Sequence, residues 1–128
     1  LEELDKVYDY LLNKGVKAWR LFTIAPAGRA AGNPDLLLNS GQLLQLMRFI
    51  EEKRRSSLMQ VAFSCEAYVG GFETKVRDGC FFCRAGIQIG SVLIDGSIAA
   101  CPNIDRTLVY GNVYHEDFYQ AVHKEGKP

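Results

Sequence analysis

Apolar residues open the chain at helical spacing. Leu1, Leu4, Val7, Tyr8, Leu11 and Leu12 fall on one side of a 3.6-residue repeat. Lys14-Gly15 supplies a stop, since glycine readily takes the left-handed position that ends a helix. Val16 to Ile24 follows, rich in β-branched and aromatic side chains. Its run from Trp19 to Ile24 is nearly continuous in bulk, as in a buried parallel strand. Arg20 interrupts that run and requires a partner or an exit to solvent. Residues 25–39 are rich in Pro, Gly, Ala and Asn and read as a loop. Asn39 or Ser40 then caps a second helix, with Leu43, Leu44, Met47 and Ile50 as its apolar face. Met59 to Ser64 reads as a short strand, so residues 1–64 alternate helix, strand, helix, strand, the rhythm of an α/β layer with parallel strands.

The pattern changes at Cys65. Residues 65–86 carry three cysteines, several glycines and little periodicity. Gly90 to Ala100 reads as a hairpin, with Val92-Leu93-Ile94 and Ser97-Ile98-Ala99 flanking a two-residue Asp95-Gly96 turn. A loop then leads to Gly111-Asn112, and a short helix is expected from Glu116 to His123. No internal repeat or low-complexity tract is visible.

A length of 128 residues, 48% of them hydrophobic, suffices for a real core. Fifteen basic side chains balance fifteen acidic ones, which gives bulk charge no bias toward nucleic acid or membrane partners. Lys53-Arg54-Arg55 is the densest basic run. It reads as the solvated end of a helix, where cations suit the macrodipole, with a binding patch as the alternative. No signal peptide or membrane-spanning stretch stands out, and the expected location is cytoplasmic. The chain opens on Leu inside a helical pattern, which leads us to expect a fragment of a longer protein.

The candidate chemistry lies in Cys65, Cys80, Cys83 and Cys101, separated by fourteen, two and seventeen residues. Cys80-Phe81-Phe82-Cys83 is a C-x2-C knuckle that can aim two thiolates at one metal. Four thiolates suit either zinc or an iron–sulfur cluster. Buried apolar thiols, two disulfides and a redox pair are the competing readings. Zinc ribbons show two such knuckles, whereas one is present here.

Cys83-Arg84-Ala85-Gly86 through Asp95-Gly96 to Cys101-Pro102 fits C-x12-G-x4-C. This resembles the first cysteine motif of SPASM and twitch domains, the auxiliary-cluster modules of radical S-adenosylmethionine (SAM) enzymes. Gly111-Asn112 before an aromatic-rich helix is similar to the same module. Upstream, Trp19-Arg20-Leu21-Phe22 and Pro26-Ala27-Gly28-Arg29-Ala30 resemble a late barrel strand and its loop in that superfamily. The likeness is greatest to members that make pyrroloquinoline quinone or haem-type cofactors.

The resemblance implies an α/β fold: the C-terminal remnant of a partial (β/α) barrel over residues 1–64, then a Cys-rich β-hairpin and short helix over residues 65–128. It implies an auxiliary [4Fe–4S] cluster that passes electrons or anchors a peptide or small-molecule substrate. Cys83 and Cys101 map onto the motif, and Cys65 and Cys80 join as ligands by count and proximity. The three-cysteine C-x3-C-x2-C motif that holds the SAM-cleaving cluster is absent, so catalysis is expected to require an N-terminal barrel outside this chain. SPASM modules carry further cysteines downstream, but none follows Cys101, so one cluster at most is expected. The alternative is a non-enzymatic module whose four cysteines hold structural zinc; a third reading has no metal at all.

A geometric condition attaches to the cluster. With Asp95-Gly96 as the turn, Cys101 lies opposite Gly90, and Cys83 is roughly 23 Å further back if extended. The chain must bend at Gly86 or Gly90 for the two cysteines to share a metal.

Gly28 and Arg29 follow a strand predicted to be parallel, where ligands gather in α/β folds, so they are candidates to face SAM or substrate; an ordinary surface arginine is the alternative. Gly70-Gly71 is most simply a turn. His115 and His123 lack metal-ligand spacing. Strand edges exposed by a divided barrel predict self-association into a dimer.

Overall fold

The computed structural model describes residues 1–26, 30–64 and 68–124. The chain is a mixed α/β protein that divides into two compact units, Leu1–Phe82 and Cys83–Pro128. The compositional change falls at residue 65, whereas packing divides after Phe82, because Val76 and Glu73 are buried within the first unit.

The first unit begins with helix α1, Leu4–Asn13. The Gly15 amide donates to the Leu12 carbonyl and the Val16 amide to that of Leu11, with Gly15 at φ +74°. Both bonds together form a Schellman stop, which the left-handed glycine permits. Strand β1, Ala18–Leu21, pairs in parallel with β2, Gln60–Phe63, in the register Ala18 to Gln60. Helix α2, Ser40–Ser56, connects them. Asn39 caps it: its Oδ1 accepts the Gln42 amide while Gln42 Oε1 accepts the Asn39 amide, each at 2.9 Å.

Both helices pack on one face of the strand pair. Tyr8 joins Leu46, Met47, Phe49, Ile50, Val61 and Phe63 in one core, with Leu43 and Trp19 against it. The buried stripe of α2 therefore runs through Leu43, Leu46, Met47 and Ile50, and Leu44, expected on it, is exposed along with Val7 of α1. The strands are half-buried rather than enclosed. On β1, Leu21 points into the core while Arg20 exits to solvent on the opposite face. Strand β1 also stops at Leu21, short of the Ile24 expected.

The basic end of α2 is committed to contacts within its own unit. Lys53 Nζ lies 2.6 Å from Asp5 and sits over the rings of Tyr8 and Phe49. The hydrogen bond with Asp5 raises the Lys53 pKa against the opposing effect of burial. Arg54 donates to the Val61 carbonyl at 2.7 Å and pairs with Asp78. Arg55 pairs with Glu51 one turn back. Beyond β2 stand two elements that periodicity does not reveal: a 3-10 turn, Gly70–Phe72, and the single-turn helix α3, Glu73–Val76.

The second unit is a three-stranded antiparallel sheet, β3 (Ser91–Val92), β4 (Ser97–Ala99) and β5 (Val109–Asn112), followed by helix α4, Phe118–His123. The hairpin is where expected, but its turn is different. Ser91 pairs with Ala99 and the Leu93 amide donates to Ser97, leaving a three-residue loop of Ile94, Asp95 and Gly96. The Gly96 amide closes a turn onto the Leu93 carbonyl, and only Gly96 of the loop has positive φ, at +81°. A type I turn ending in a left-handed glycine suits a three-residue loop, whereas the two-residue turn needs positive φ at both positions. The register consequently moves by one residue from that expected. Strand β5 replaces the end of the anticipated loop, and α4 begins after Asp117, whose Oδ1 accepts the Gln120 amide.

Aromatic side chains from β5, the turn after it and α4 lie against glycines of the first half of this unit. A Cβ added at Gly86 would lie 2.5 Å from the Tyr110 hydroxyl, one at Gly90 2.8 Å from the Phe118 ring, and one at Gly96 2.6 Å from the Tyr114 ring. Ile98, Ala121 and Val122 form the small core, with Tyr110 packed on it. Among the described residues no helix is long and apolar enough to cross a membrane.

Gly96→Ala is expected to destabilise the second unit by about 1–3 kcal/mol, through positive φ and collision with Tyr114 and Asn112. Urea unfolding followed on the amide resonances of β3–β5 measures it; unchanged midpoints would contradict the loop geometry.

Candidate functional site

Of the residues singled out by sequence, Cys65, Gly28 and Arg29 lie outside the described residues. Cys80, Cys83 and Cys101 are free thiols; Cys80 and Cys83 are exposed and Cys101 is half-buried. Among the described residues no three His, Cys, Asp or Glu side chains are gathered as a metal site.

In the second unit the chain makes the bend that shared ligation requires. The Arg84 carbonyl accepts the amides of Ile87, Gln88 and Ile89 at 3.0–3.1 Å, and the Gly86 amide returns to the Ile89 carbonyl at 2.9 Å. Gly86 turns at φ +72°, a value that L side chains rarely adopt. A Cβ on Gly86 would also lie 3.4 Å from that of Ala100, the residue before Cys101. Continuing the β3–β4 register by two residues aligns Ile89 with Cys101. The bend thus brings Arg84, the residue after Cys83, back against Ile89. The Cys101 carbonyl accepts the Ile104 amide in a turn of its own.

In the first unit Cys80 lines an open cleft of about 730 Å³ over the uncovered face of β1 and β2. Ala18, Arg20 and Phe22 contribute from one chain segment, Ala62 from β2, and Phe82 from beyond Cys80. Arg20 is exposed here, and among the described residues no acidic side chain pairs with it. Asp78 is occupied by Arg54 and by Gln60 Nε2 at 3.2 Å, and the hydrogen bond from Arg54 holds its carboxyl below the usual range.

Sequence reasoning did not single out Arg77, which lines this cleft, or Glu73, which is buried behind it. Glu73 is buried, with 3% of its surface exposed. Its Oε1 accepts the Val69 amide at 2.8 Å and its Oε2 the Phe81 amide at 2.6 Å. Arg77 Nε lies 3.6 Å from Oε2, and its guanidinium sits 5.1 Å and 5.4 Å from the ring centres of Phe63 and Phe81. Burial alone would push the Glu73 carboxyl up, but the amides of Val69 and Phe81 and the charge of Arg77 outweigh it and lower the pKa. The available signal was the acid–base pair at i, i+4 within Glu73-Thr74-Lys75-Val76-Arg77, on a segment too short for its periodicity to show.

Comparison with known protein families, curated proteins and solved structures yields no match.

A carboxyl whose folded pKa lies below its unfolded value stabilises the fold above that unfolded value. The contribution is lost as pH falls through the folded pKa. Glu73 and Asp78 both have this sign. The first unit is therefore expected to lose thermal stability as pH drops below the ordinary values of 4.5 and 3.8 for these groups. Fluorescence of Trp19, which packs edge-on against Phe49, reports the transition. A Glu73→Gln variant should show a shallower acid decline; an equal slope would contradict the assigned shift.

Proposed function

We propose that this chain is the C-terminal part of a radical SAM enzyme of cofactor or peptide maturation and binds an auxiliary [4Fe–4S] cluster through its cysteines. The observation that carries the reading is the Gly86 bend, which brings Arg84, the residue after Cys83, back against Ile89, itself aligned with Cys101. The resemblance in sequence rests on this same pair, and without such a bend the two thiols would diverge along an extended strand. Cys83 and Cys101 are the ligands assigned by motif. Cys80 and Cys65 are assigned by the spacing of the knuckle and by count.

The first unit supports the same reading independently. A doubly wound sheet carries helices on both faces, whereas a (β/α) barrel carries them only outside. Here α1 and α2 share one core on one face of a parallel pair, and the other face is open. On this reading residues 1–64 are late strands and helices of the barrel, and Gly28 and Arg29 face SAM or substrate in the complete enzyme. The cluster, when bound, would supply one-electron transfer or an anchoring point for substrate. The chain's own part is to present thiolates: two are exposed and one half-buried, which leaves them accessible to incoming metal.

The test is iron, sulfide and zinc content with an absorption spectrum, after anaerobic purification and reconstitution. About four irons per chain with matching sulfide are expected, falling sharply in Cys83→Ala and Cys101→Ala. Protein that takes up no iron, or that retains tight zinc without sulfide when prepared anaerobically, overturns the proposal in favour of a structural zinc module or plain thiols.

A further inference from the structure

The open face of the parallel strand pair leaves one cation without a counter-charge. Alternation puts Ala18, Arg20 and Phe22 on the face opposite Leu21, and the register sets Arg20 beside Ala62 of β2. Ala18 and Ala62 end at a methyl group and offer the guanidinium no acceptor. The wall of the cleft comes from residues 77–82, whose charges are already matched. Arg77 lies beside Glu73 and between the rings of Phe63 and Phe81. Asp78 is paired with Arg54 and accepts Gln60 Nε2 at 3.2 Å. Among the described residues, Arg20 is therefore the one charged group lining the cleft that has no ion-pair partner. The rings of Phe22 and Phe82, which line the same cleft, are largely exposed.

These features define a ligand. An uncommitted guanidinium holds a carboxylate through two parallel N–H···O bonds, matching it in both charge and geometry. A doubly charged phosphate ester would call for a second cation, and the other guanidinium of the cleft, Arg77, already stands beside Glu73. An exposed ion pair contributes little by itself, so binding must also draw on apolar area. Phe22 and Phe82 offer that area as rings, against which another ring packs well. The cleft volume of about 730 Å³ falls within the range of small-molecule sites. We propose that this cleft binds a small aromatic monocarboxylate, with the carboxylate on Arg20 and the ring against Phe22 and Phe82. The site uses only side chains of the first unit and no metal, so it goes beyond the cluster reading and stands or falls separately from it.

The experiment titrates phenylacetate into the reduced, metal-free full chain while the nitrogen resonances of the backbone amides and arginine side chains are followed. Phenylacetamide has the same ring without the charge, acetate has the charge without the ring, and inorganic phosphate tests the other anion class. Phenylacetate should shift Arg20 Nε and the amides of Phe22 and Phe82 saturably, and bind at least about tenfold more tightly than any of the three controls. Arg20→Gln should lower phenylacetate to the affinity of phenylacetamide and leave phenylacetamide unchanged. Phe22→Ala should weaken both alike. Equal binding of acid and amide by wild type, no saturable shift at Arg20, tighter binding of phosphate, or undiminished phenylacetate binding by Arg20→Gln overturns the proposal. Arg20 is exposed, so the variant should keep the wild-type amide positions of β2. If those positions move, Arg20→Lys decides, because lysine keeps the charge but loses the planar fork. Weaker phenylacetate binding with phenylacetamide unchanged then supports the proposal, and wild-type affinity for both overturns it.

Discussion

The path of the first unit beyond β2 depends on one buried carboxylate. Glu73 stands on a helix of a single turn, too short to be stable by its own hydrogen bonds. The helix persists because Val76 is fully buried and because Glu73 collects the Val69 and Phe81 amides from its two flanks. The Arg77 guanidinium neutralises the charge and lies between two aromatic rings, which spares it from facing a purely apolar surface. If donors were missing from this carboxylate, its desolvation would oppose folding of the whole segment. The conformation at Cys80 is in that sense a consequence of satisfying Glu73.

A second constraint comes from the small size of the parallel sheet. Two strands can bury one face against a helix layer, and α1 and α2 both occupy that face. Alternation then follows: Leu21, Val61 and Phe63 are buried while Arg20 and Gln60 are exposed. The nearly unbroken apolar run from Trp19 to Ile24 is richer than a one-sided strand needs. Phe22 and Ile24 remain 63% and 49% exposed, apolar surface that a further layer or strand would cover. This excess supports the barrel reading, in which such side chains meet the barrel interior or its neighbouring strands.

Features set within a few residues were legible from sequence. A cap at Asn39 or Ser40, the Gly15 stop and the parallel rhythm of residues 1–64 all depend on local geometry, and the structure adds that Gln42 completes the Asn39 cap. The misreadings were of long-range origin. Asp95-Gly96 suggested a two-residue turn, but the register is settled by Ser91 meeting Ala99 and by Asn112 Nδ2 donating to the Asp95 carbonyl from β5. Strand β5 was hidden because Tyr110-Gly111-Asn112 lacks alternation, and it exists through pairing with β4. Leu44 was assigned inward because it is apolar, although the face that meets the sheet passes through Leu46. The cysteines could be named as candidates from sequence, whereas no pattern connects Glu73 to Phe81 except the folded path between them.

The second unit solves a different problem, since its core cluster of Ile98, Ala121 and Val122 is very small. It gains cohesion by seating aromatic groups on glycines, Tyr110 on Gly86, Phe118 on Gly90 and Tyr114 on Gly96, so that rings approach backbone where a Cβ would intervene. The seats are ordered along the chain in a way that matters for the thiols. Gly86 and Gly90 bracket the bend after Cys83, while the Ile98-Ala99-Ala100 run leading to Cys101 is entirely buried. Tyr110 touches the bend at Gly86 and also packs on the Ile98 core. One side chain therefore couples the segment that carries Cys83 to the strand that delivers Cys101. Two segments held on so little apolar area gain from this direct link, because small cores alone specify backbone position poorly. The glycines and aromatics of this unit thus fix the chain path on both sides of the hairpin, where its small core alone would not.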